Sequence, residues 1–224
     1  MSRPDPGRRR DVSIVVLFSV GSILFALGAL PWYAEAVGLR ATALTFFTGS
    51  LLFTSAAFLQ YSQAVDALST VGRRRTLWVW APQNTGWLAC AVQLAGTLWF
   101  NWSTGNALRV NLDAAQADQL VWRPDALGST AFLVASGLAW RDAYRDRADG
   151  PRRPWTWWAA LMNLIGSIAF GISAVAAYIV PSSGDIWDAE LANLGTFVGA
   201  VCFLIGALLL LPASPSASHI ERRQ

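Results

Sequence analysis

The chain has 224 residues, of which 54% are hydrophobic and only 14% are charged, whereas an average soluble domain carries roughly 25% charged residues. This composition excludes an ordinary water-soluble domain and indicates an integral membrane protein built as one domain. The net charge of +3 does not predict nucleic-acid binding, because the arginines flank apolar segments and membrane topology accounts for them. We therefore expect a lipid bilayer around the chain and no nucleic-acid partner.

Six apolar segments lie between a basic N-terminal tail, residues 1–11, and a polar C-terminal tail, residues 212–224. The predicted spans are residues 12–31, 41–60, 85–102, 124–140, 157–180 and 191–211. Each is close to the ~20 residues that a helix needs to cross ~30 Å of hydrocarbon. The third and fourth spans are the least apolar. We predict an all-α integral membrane protein whose six transmembrane helices occupy residues 12–211.

The arginines predict the orientation in the membrane. Fourteen of them lie at one set of span ends, in residues 1–11, 61–83, 141–156 and 212–224. The opposite ends carry only Arg40, Arg109 and Arg123. Because cytoplasmic loops carry the excess of basic residues, both termini are predicted to be cytoplasmic. The clusters Arg73–Arg75 and Arg152–Arg153 are candidate contacts for anionic lipid headgroups, although retention of these loops in the cytoplasm already explains them.

One pattern, G-[STA]-x-x-F-x-x-[GAS], occurs once in each predicted span. At about 100° per helical residue, its first, fifth and eighth positions fall within roughly 60° of arc, so they share one helix face. Small residues on such a face let helix backbones approach closely in lipid. We predict that the pattern is a helix-packing code. Its glycines are Gly21, Gly49, Gly96, Gly128, Gly166 and Gly199.

The spacing of the pattern predicts a threefold repeat. Within successive pairs, the glycines are 28, 32 and 33 residues apart, and equivalent helices are offset by 70 to 79 residues. Three hairpins, residues 12–60, 84–140 and 157–211, would then follow one another as parallel repeats around an axis along the membrane normal. The outer loop of the second hairpin is the longest, and we expect its segment Asp113–Asp118 to form a short surface helix.

Asp125 is the clearest ionisable residue near a predicted span, and such residues are functional candidates. It follows Arg123 and Pro124 at the start of the fourth span. Proline suits the first turn of a helix, and an acid there complements the helix dipole. We therefore predict that Asp125 is a first-turn acid with Arg123 as its partner, in preference to a proton or cation site. Asp188 and Glu190, before the sixth span, have the same interpretation.

Gln93 and Asn163 occupy equivalent places, one turn before the motif glycine of the third and fifth spans, where the first span has Phe18. The ordinary role of such amides is hydrogen bonding between helices, worth roughly 0.6–2 kcal/mol each. The alternative is that they line a hydrophilic path through the bundle, together with Asp125.

The residues for common catalytic centres are missing from the predicted membrane region. Cys90 and Cys202 are isolated within apolar spans, and the only histidine, His219, lies in the C-terminal tail. Two isolated thiols define no metal site, and a lone histidine in a tail excludes bis-histidine haem and a Ser-His-Asp triad within the membrane. No P-loop, dinucleotide fingerprint, HExxH or CxxC motif occurs. We expect no enzyme activity, no cofactor and no metal.

The first hairpin contains Gly21-Ser-Ile-Leu-Phe25 and Phe47-Thr-Gly-Ser-Leu-Leu-Phe53, and through these residues it resembles the bacterial YrhK-like domain, a two-helix membrane domain. The last hairpin is similar through Asn163-Leu-Ile-Gly-Ser-Ile-Ala-Phe170, and departs where Ala200 replaces serine. The middle hairpin matches less well. The resemblance implies a membrane hairpin fold and transfers no catalytic residue. We expect the plasma membrane, in a bacterium the inner membrane, as the location.

Two functions follow as hypotheses. The first is a non-catalytic structural or accessory membrane module packed through the small-residue faces. This hypothesis is compatible with a homo-oligomer. The second is a small-solute or ion permease that uses Gln93, Asn163 and Asp125 along a central path.

Overall fold

The structure is a computed structural model, and it describes residues 6–69, 78–109, 111–148 and 154–211. The candidate lipid contacts Arg73–Arg75 and Arg152–Arg153 lie outside the described residues. Within these ranges the chain is helical, apart from turns and one isolated antiparallel bridge between Ile179 and Ile186. The six long helices are α1 (Pro6–Gly28), α3 (Leu39–Leu68), α4 (Thr85–Ala107), α6 (Arg123–Ala148), α7 (Pro154–Ala176) and α8 (Ala189–Leu209).

Among the described residues, four helices are long and apolar enough to cross a membrane: α1, α3, α7 and α8. Their most apolar windows have mean hydropathies of 1.5 to 2.1. This confirms that the chain is an all-helical membrane protein. Helices α4 and α6 are also long, with 23 and 26 residues, but α4 contains Gln93 and Asn101, and α6 continues past Trp140 into charged residues.

The six long helices form a closed ring in chain order, because each packs against its neighbours in sequence and α8 packs against α1. Successive helices are antiparallel. At one end of the ring, Arg10 near the start of α1 forms an ion pair of 2.6 Å with Asp66 near the end of α3. We call this end, where α1 begins and α8 ends, the terminal face. The opposite end, which carries the α1–α3 and α7–α8 connections, is the loop face.

Two short helices lie at the loop face. Helix α2 (Pro31–Val37) begins with proline, which suits a first turn, and is joined to α3 by Gly38 at φ 83°. Only glycine adopts that conformation without strain, so Gly38 permits the sharp corner. Helix α5 (Ala114–Ala117) has a capping box. The Asp113 side chain accepts a hydrogen bond from the backbone N–H of Gln116, and the Gln116 side chain accepts one from the backbone N–H of Asp113. The predicted short surface helix is therefore confirmed.

The fourth long helix does not begin at proline as predicted. A π-helical segment, Asp118–Trp122, joins α5 to α6, and the backbone N–H of Arg123 donates to the carbonyl of Asp118. Proline has no N–H, and its ring collides with the carbonyl four residues earlier in a regular α-helix. A wider π turn just before Pro124 relieves that conflict. The chain therefore stays helical from Ala114 to Ala148.

The ends of the other helices agree better with the sequence. Asp188 caps α8 by accepting from the backbone N–H of Leu191 at 2.9 Å, and Glu190 lies in the first turn of that helix. Their prediction as acids that complement the α8 dipole is confirmed. Helix α1 begins at Pro6, so residues 6–11 of the predicted tail are helical.

Candidate functional site: the axis of the helix ring

All six motif glycines are buried and face the partner helix of their own hairpin. In the second hairpin, a Cβ atom added to Gly96 would lie 2.9 Å from Phe132 Cδ2 and 3.2 Å from the Gly128 carbonyl oxygen. A Cβ on Gly128 would lie 3.1 Å from Phe100 Cδ1 and from the Gly96 carbonyl oxygen. The two backbones therefore touch at the glycines, and each glycine receives the phenylalanine of the other helix.

The other two hairpins repeat this reciprocal contact. A Cβ on Gly21 would lie 2.6 Å from Phe53 Cδ2, and one on Gly49 would lie 2.9 Å from Phe25 Cδ2. In the third hairpin, a Cβ on Gly166 would lie 3.0 Å from the carbonyl oxygen of Gly199. Separations near or below 3.0 Å leave no room for a methyl group unless the facing phenylalanine ring or the facing backbone moves, so these sites favour glycine on steric grounds.

The six motif phenylalanines meet on the axis as a triangular prism. One triangle contains the phenylalanines of the first helix of each hairpin: Phe25, Phe100 and Phe170, with ring centroids 5.8–6.4 Å apart. The other contains those of the second helices: Phe53, Phe132 and Phe203, 5.7–6.3 Å apart. The hairpin partners join the triangles at 5.2–5.5 Å. We call these six residues the phenylalanine prism.

The phenylalanine prism fills the axis of the ring. Its rings are buried, with 3–7% of each residue exposed. Of its nine ring pairs, five are T-shaped, with an edge against a face, and four are tilted. The space left between the rings is about 10 Å³, which is close to the minimum for one water molecule. The prism therefore closes the axis to solutes in this conformation.

A small cavity with four polar residues in its otherwise apolar wall, which we call the polar chamber, lies on the terminal-face side of the prism. Its volume is about 30 Å³, enough for roughly two water molecules. The prism triangle of the second helices forms one wall. The polar wall residues are Gln60, Gln93, Ser136 and Asn163. The structure thus brings Gln93 and Asn163 to one cavity, as the permease alternative requires, and Phe18 at the equivalent place in α1 also lines it.

Hydrogen bonds connect part of the polar chamber. Gln93 Nε2 donates to Gln60 Oε1 at 3.3 Å, which links α4 to α3. The hydroxyls of Ser136 and Ser167 lie 2.7 Å apart and link α6 to α7. Gln60 and Ser136 were not predicted from the sequence. A polar residue in an apolar helix was the available signal, but only the packing shows that they share a cavity with Gln93.

Asp125 does not join the polar chamber. It is half-buried in α6, towards the loop face, and no described residue forms an ion pair or hydrogen bond with it. Its predicted partner, Arg123, instead pairs with Asp118 at 2.8 Å. The pairing prediction was wrong because the π turn places residues five apart on one side of the helix. The predicted three-residue path is not assembled.

The hydroxyls of the motif differ in their hydrogen bonds, and those of Ser22 and Ser129 are buried without a partner among the described residues. Ser50 Oγ lies 2.8 Å from the Phe47 carbonyl oxygen and 2.9 Å from Thr104 Oγ1, and Thr97 Oγ1 donates to the Leu94 carbonyl at 2.7 Å. Bonds to carbonyls of the same helix are the common arrangement for such residues. In the sixth helix, Ala200 fills the same buried position. Close packing, rather than a shared hydrogen bond, is therefore common to all six sites.

The described residues contain no group of three or more acidic, histidine or cysteine side chains that are placed to hold a metal ion. Cys90 and Cys202 are free thiols on different helices.

No family model matches the chain, and neither the curated proteins nor the solved structures contain a significant match to it. The likeness to the YrhK-like domain therefore rests only on the motif residues of the first and last hairpins. The class that the fold defines is that of an all-helical membrane protein, with apolar helices that call for a lipid bilayer.

Proposed function

We propose that the chain is a six-span protein of the plasma membrane, with both termini in the cytoplasm and a non-catalytic, structural or accessory role. Helices α4 and α6 would be about 35 and 39 Å long at 1.5 Å per residue, enough to cross ~30 Å of hydrocarbon. In the ring, α4 packs against α3 and α6 packs against α7, and both α3 and α7 are apolar enough to span. Because the other four helices of the ring are apolar enough to cross the bilayer, we expect α4 and α6 to cross it as well.

The observation that carries this proposal is the filled axis. Six glycines admit six phenylalanines, and the resulting prism leaves space for about one water molecule. A rigid core of this kind serves assembly and stability better than passage of a solute. Because the motif faces are packed against each other within one chain, a homo-oligomer would need a different surface.

Substitution of the packing glycines tests the proposal. Gly166→Leu places a large side chain against the backbone of α8 and should abolish accumulation of the protein in membranes. Gly171→Leu is the matched control on the same helix, because a Cβ there meets nothing within 4 Å. Gly96→Leu and Gly137→Leu form a second pair, since Gly137 is likewise unobstructed. Normal accumulation of Gly166→Leu and Gly96→Leu would contradict the packing code.

Flux measurements separate the structural role from transport. Purified protein in lipid vesicles should leave their permeability to water and small neutral solutes equal to that of empty vesicles. Faster exchange through the protein would refute the structural role. Reporter fusions after Gln224 and within residues 181–184 test the orientation: the first should report the cytoplasm and the second the opposite side.

The second candidate function is a small-solute or ion permease, and one observation favours it. Gln93 of the second hairpin and Asn163 of the third line the same polar chamber, directly against the phenylalanine prism. In this candidate function the prism would act as a closed gate. This candidate predicts protein-dependent flux that Asn163→Leu changes while the amount of protein in the membrane stays the same. Flux that is absent, or unaffected by Asn163→Leu, would remove it.

A further inference from the structure

A surface pocket at the loop face is lined by two of the three described arginines of that face. Its volume is about 440 Å³, and it lies between the start of α3, the end of α4 and the segment that leads into α5. The lining residues are Arg40, Leu108, Arg109, Asn111, Leu112 and Gln116. Two of the three arginines predicted for the outer side of the membrane therefore share one pocket, although they are 69 positions apart in the sequence.

Neither arginine of the pocket has an acidic partner among the described residues. The described ion pairs use Arg10 with Asp66 and Arg123 with Asp118. Asp113, the acid nearest to Arg109 along the chain, accepts from the backbone N–H of Gln116 as the cap of α5, and it forms no described ion pair with either arginine. Arg40 and Arg109 bring two positive charges to one pocket, where an anion would accept charge-assisted hydrogen bonds from the guanidinium groups.

The position of Arg40 strengthens this argument. It is the second residue of α3, a helix of 30 residues, and the preceding cap residue, Gly38, offers no side chain to the free backbone N–H groups. The start of a helix carries a partial positive charge, so a cation in the first turn is electrostatically unfavourable. Arg40 is placed where the helix itself would attract an anion. The two effects add at the same pocket.

We propose that this pocket binds one phosphate group through Arg40 and Arg109. Arginine forks match the paired oxygens of phosphate, and the amides of Asn111 and Gln116 supply further donors. The phosphate could belong to the headgroup of an anionic phospholipid, whose glycerol and acyl part Leu108 and Leu112 would contact, or to a free phosphate-bearing solute. The site is independent of whether the helix axis transports anything.

The test uses the full-length protein in a neutral detergent, titrated by calorimetry in two arms. One arm adds inorganic phosphate, and the other adds short-chain phosphatidylglycerol. Arg40→Gln and Arg109→Gln should each weaken the binding at least tenfold, the usual scale for loss of a charge-assisted hydrogen bond. Arg123→Gln removes the same charge from the same face and should leave the affinity unchanged, because Asp118 already occupies that guanidinium.

The two arms identify the source of the phosphate. Arginine-dependent binding in the lipid arm alone assigns the pocket to a phospholipid headgroup, and arginine-dependent binding of inorganic phosphate assigns it to a free solute. The proposal is overturned if neither arm shows binding that depends on Arg40 and Arg109. It is also overturned if Arg123→Gln weakens binding as much as they do, since the effect would then reflect net charge and not a site.

Discussion

Truncation of Phe53 to alanine removes one corner of the phenylalanine prism. The ring is 5% exposed, and it fills the space against Gly21. Its centroid lies 5.3 Å from that of Phe18, 5.5 Å from Phe25, 6.3 Å from Phe132 and 6.0 Å from Phe203. Phe53→Ala therefore removes four aromatic contacts at the centre of the ring.

The expected loss of stability follows from the cavity and from the ring contacts. In water-soluble cores Phe→Ala costs about 3–5 kcal/mol, part of which is transfer out of water. In lipid the transfer part disappears, but the cavity left by the ring still costs ~24 cal/mol per Å³ of residual volume, or on the order of 2 kcal/mol. Three edge-to-face contacts and one tilted contact, at ~0.5 kcal/mol each, add up to about 2 kcal/mol. We expect a loss of roughly 2–4 kcal/mol.

The control for Phe53→Ala is Phe58→Ala, one and a half turns further along α3. Phe58 is 46% exposed on the outside of the ring, where lipid replaces the lost contacts, so we expect less than about 0.5 kcal/mol. Both free energies of unfolding can be measured by titration with a denaturing detergent in mixed micelles, followed by tryptophan fluorescence. Equal losses for the two variants would refute the prism as the stabilising core.

Three further predictions concern packing, capping and surface charge. Gly199→Ala should lower the free energy of unfolding by about 1–3 kcal/mol, because its Cβ would lie 2.9 Å from the Gly166 carbonyl oxygen. The control, Gly171→Ala, should be neutral or stabilising by up to ~1 kcal/mol. The same micelle titration compares the two variants, and equal effects would contradict the close contact. Asp188→Ala should cost about 1 kcal/mol through loss of the α8 cap, and faster amide hydrogen exchange in the first turn of α8 would show it, while unchanged exchange would argue against the cap. Arg10→Gln should change stability by less than about 1 kcal/mol, because the exposed ion pair with Asp66 is screened by solvent; a larger loss in the titration would show that the pair closes the terminal face.

The membrane character and the packing positions were readable from the sequence because they depend on local properties. Hydropathy over ~20 residues reports whether a helix is stable in lipid, and a helical repeat of glycine and phenylalanine reports which face is narrow. The acids at the start of α8, Asp188 and Glu190, were readable for the same reason, since their interaction with the helix end involves only residues within one turn.

The tertiary structure alone decided how the repeats combine. The motif did not show that its six phenylalanines would leave their separate hairpins and meet as two triangles, because this depends on closure of the ring by α1 and α8. The tertiary structure also decided that Gln93, Gln60 and Asn163 line one chamber, while Asp125 lies elsewhere. A sequence orders residues along one dimension, and contacts between helices 30 to 70 residues apart arise only when the angles between all six helices are set together.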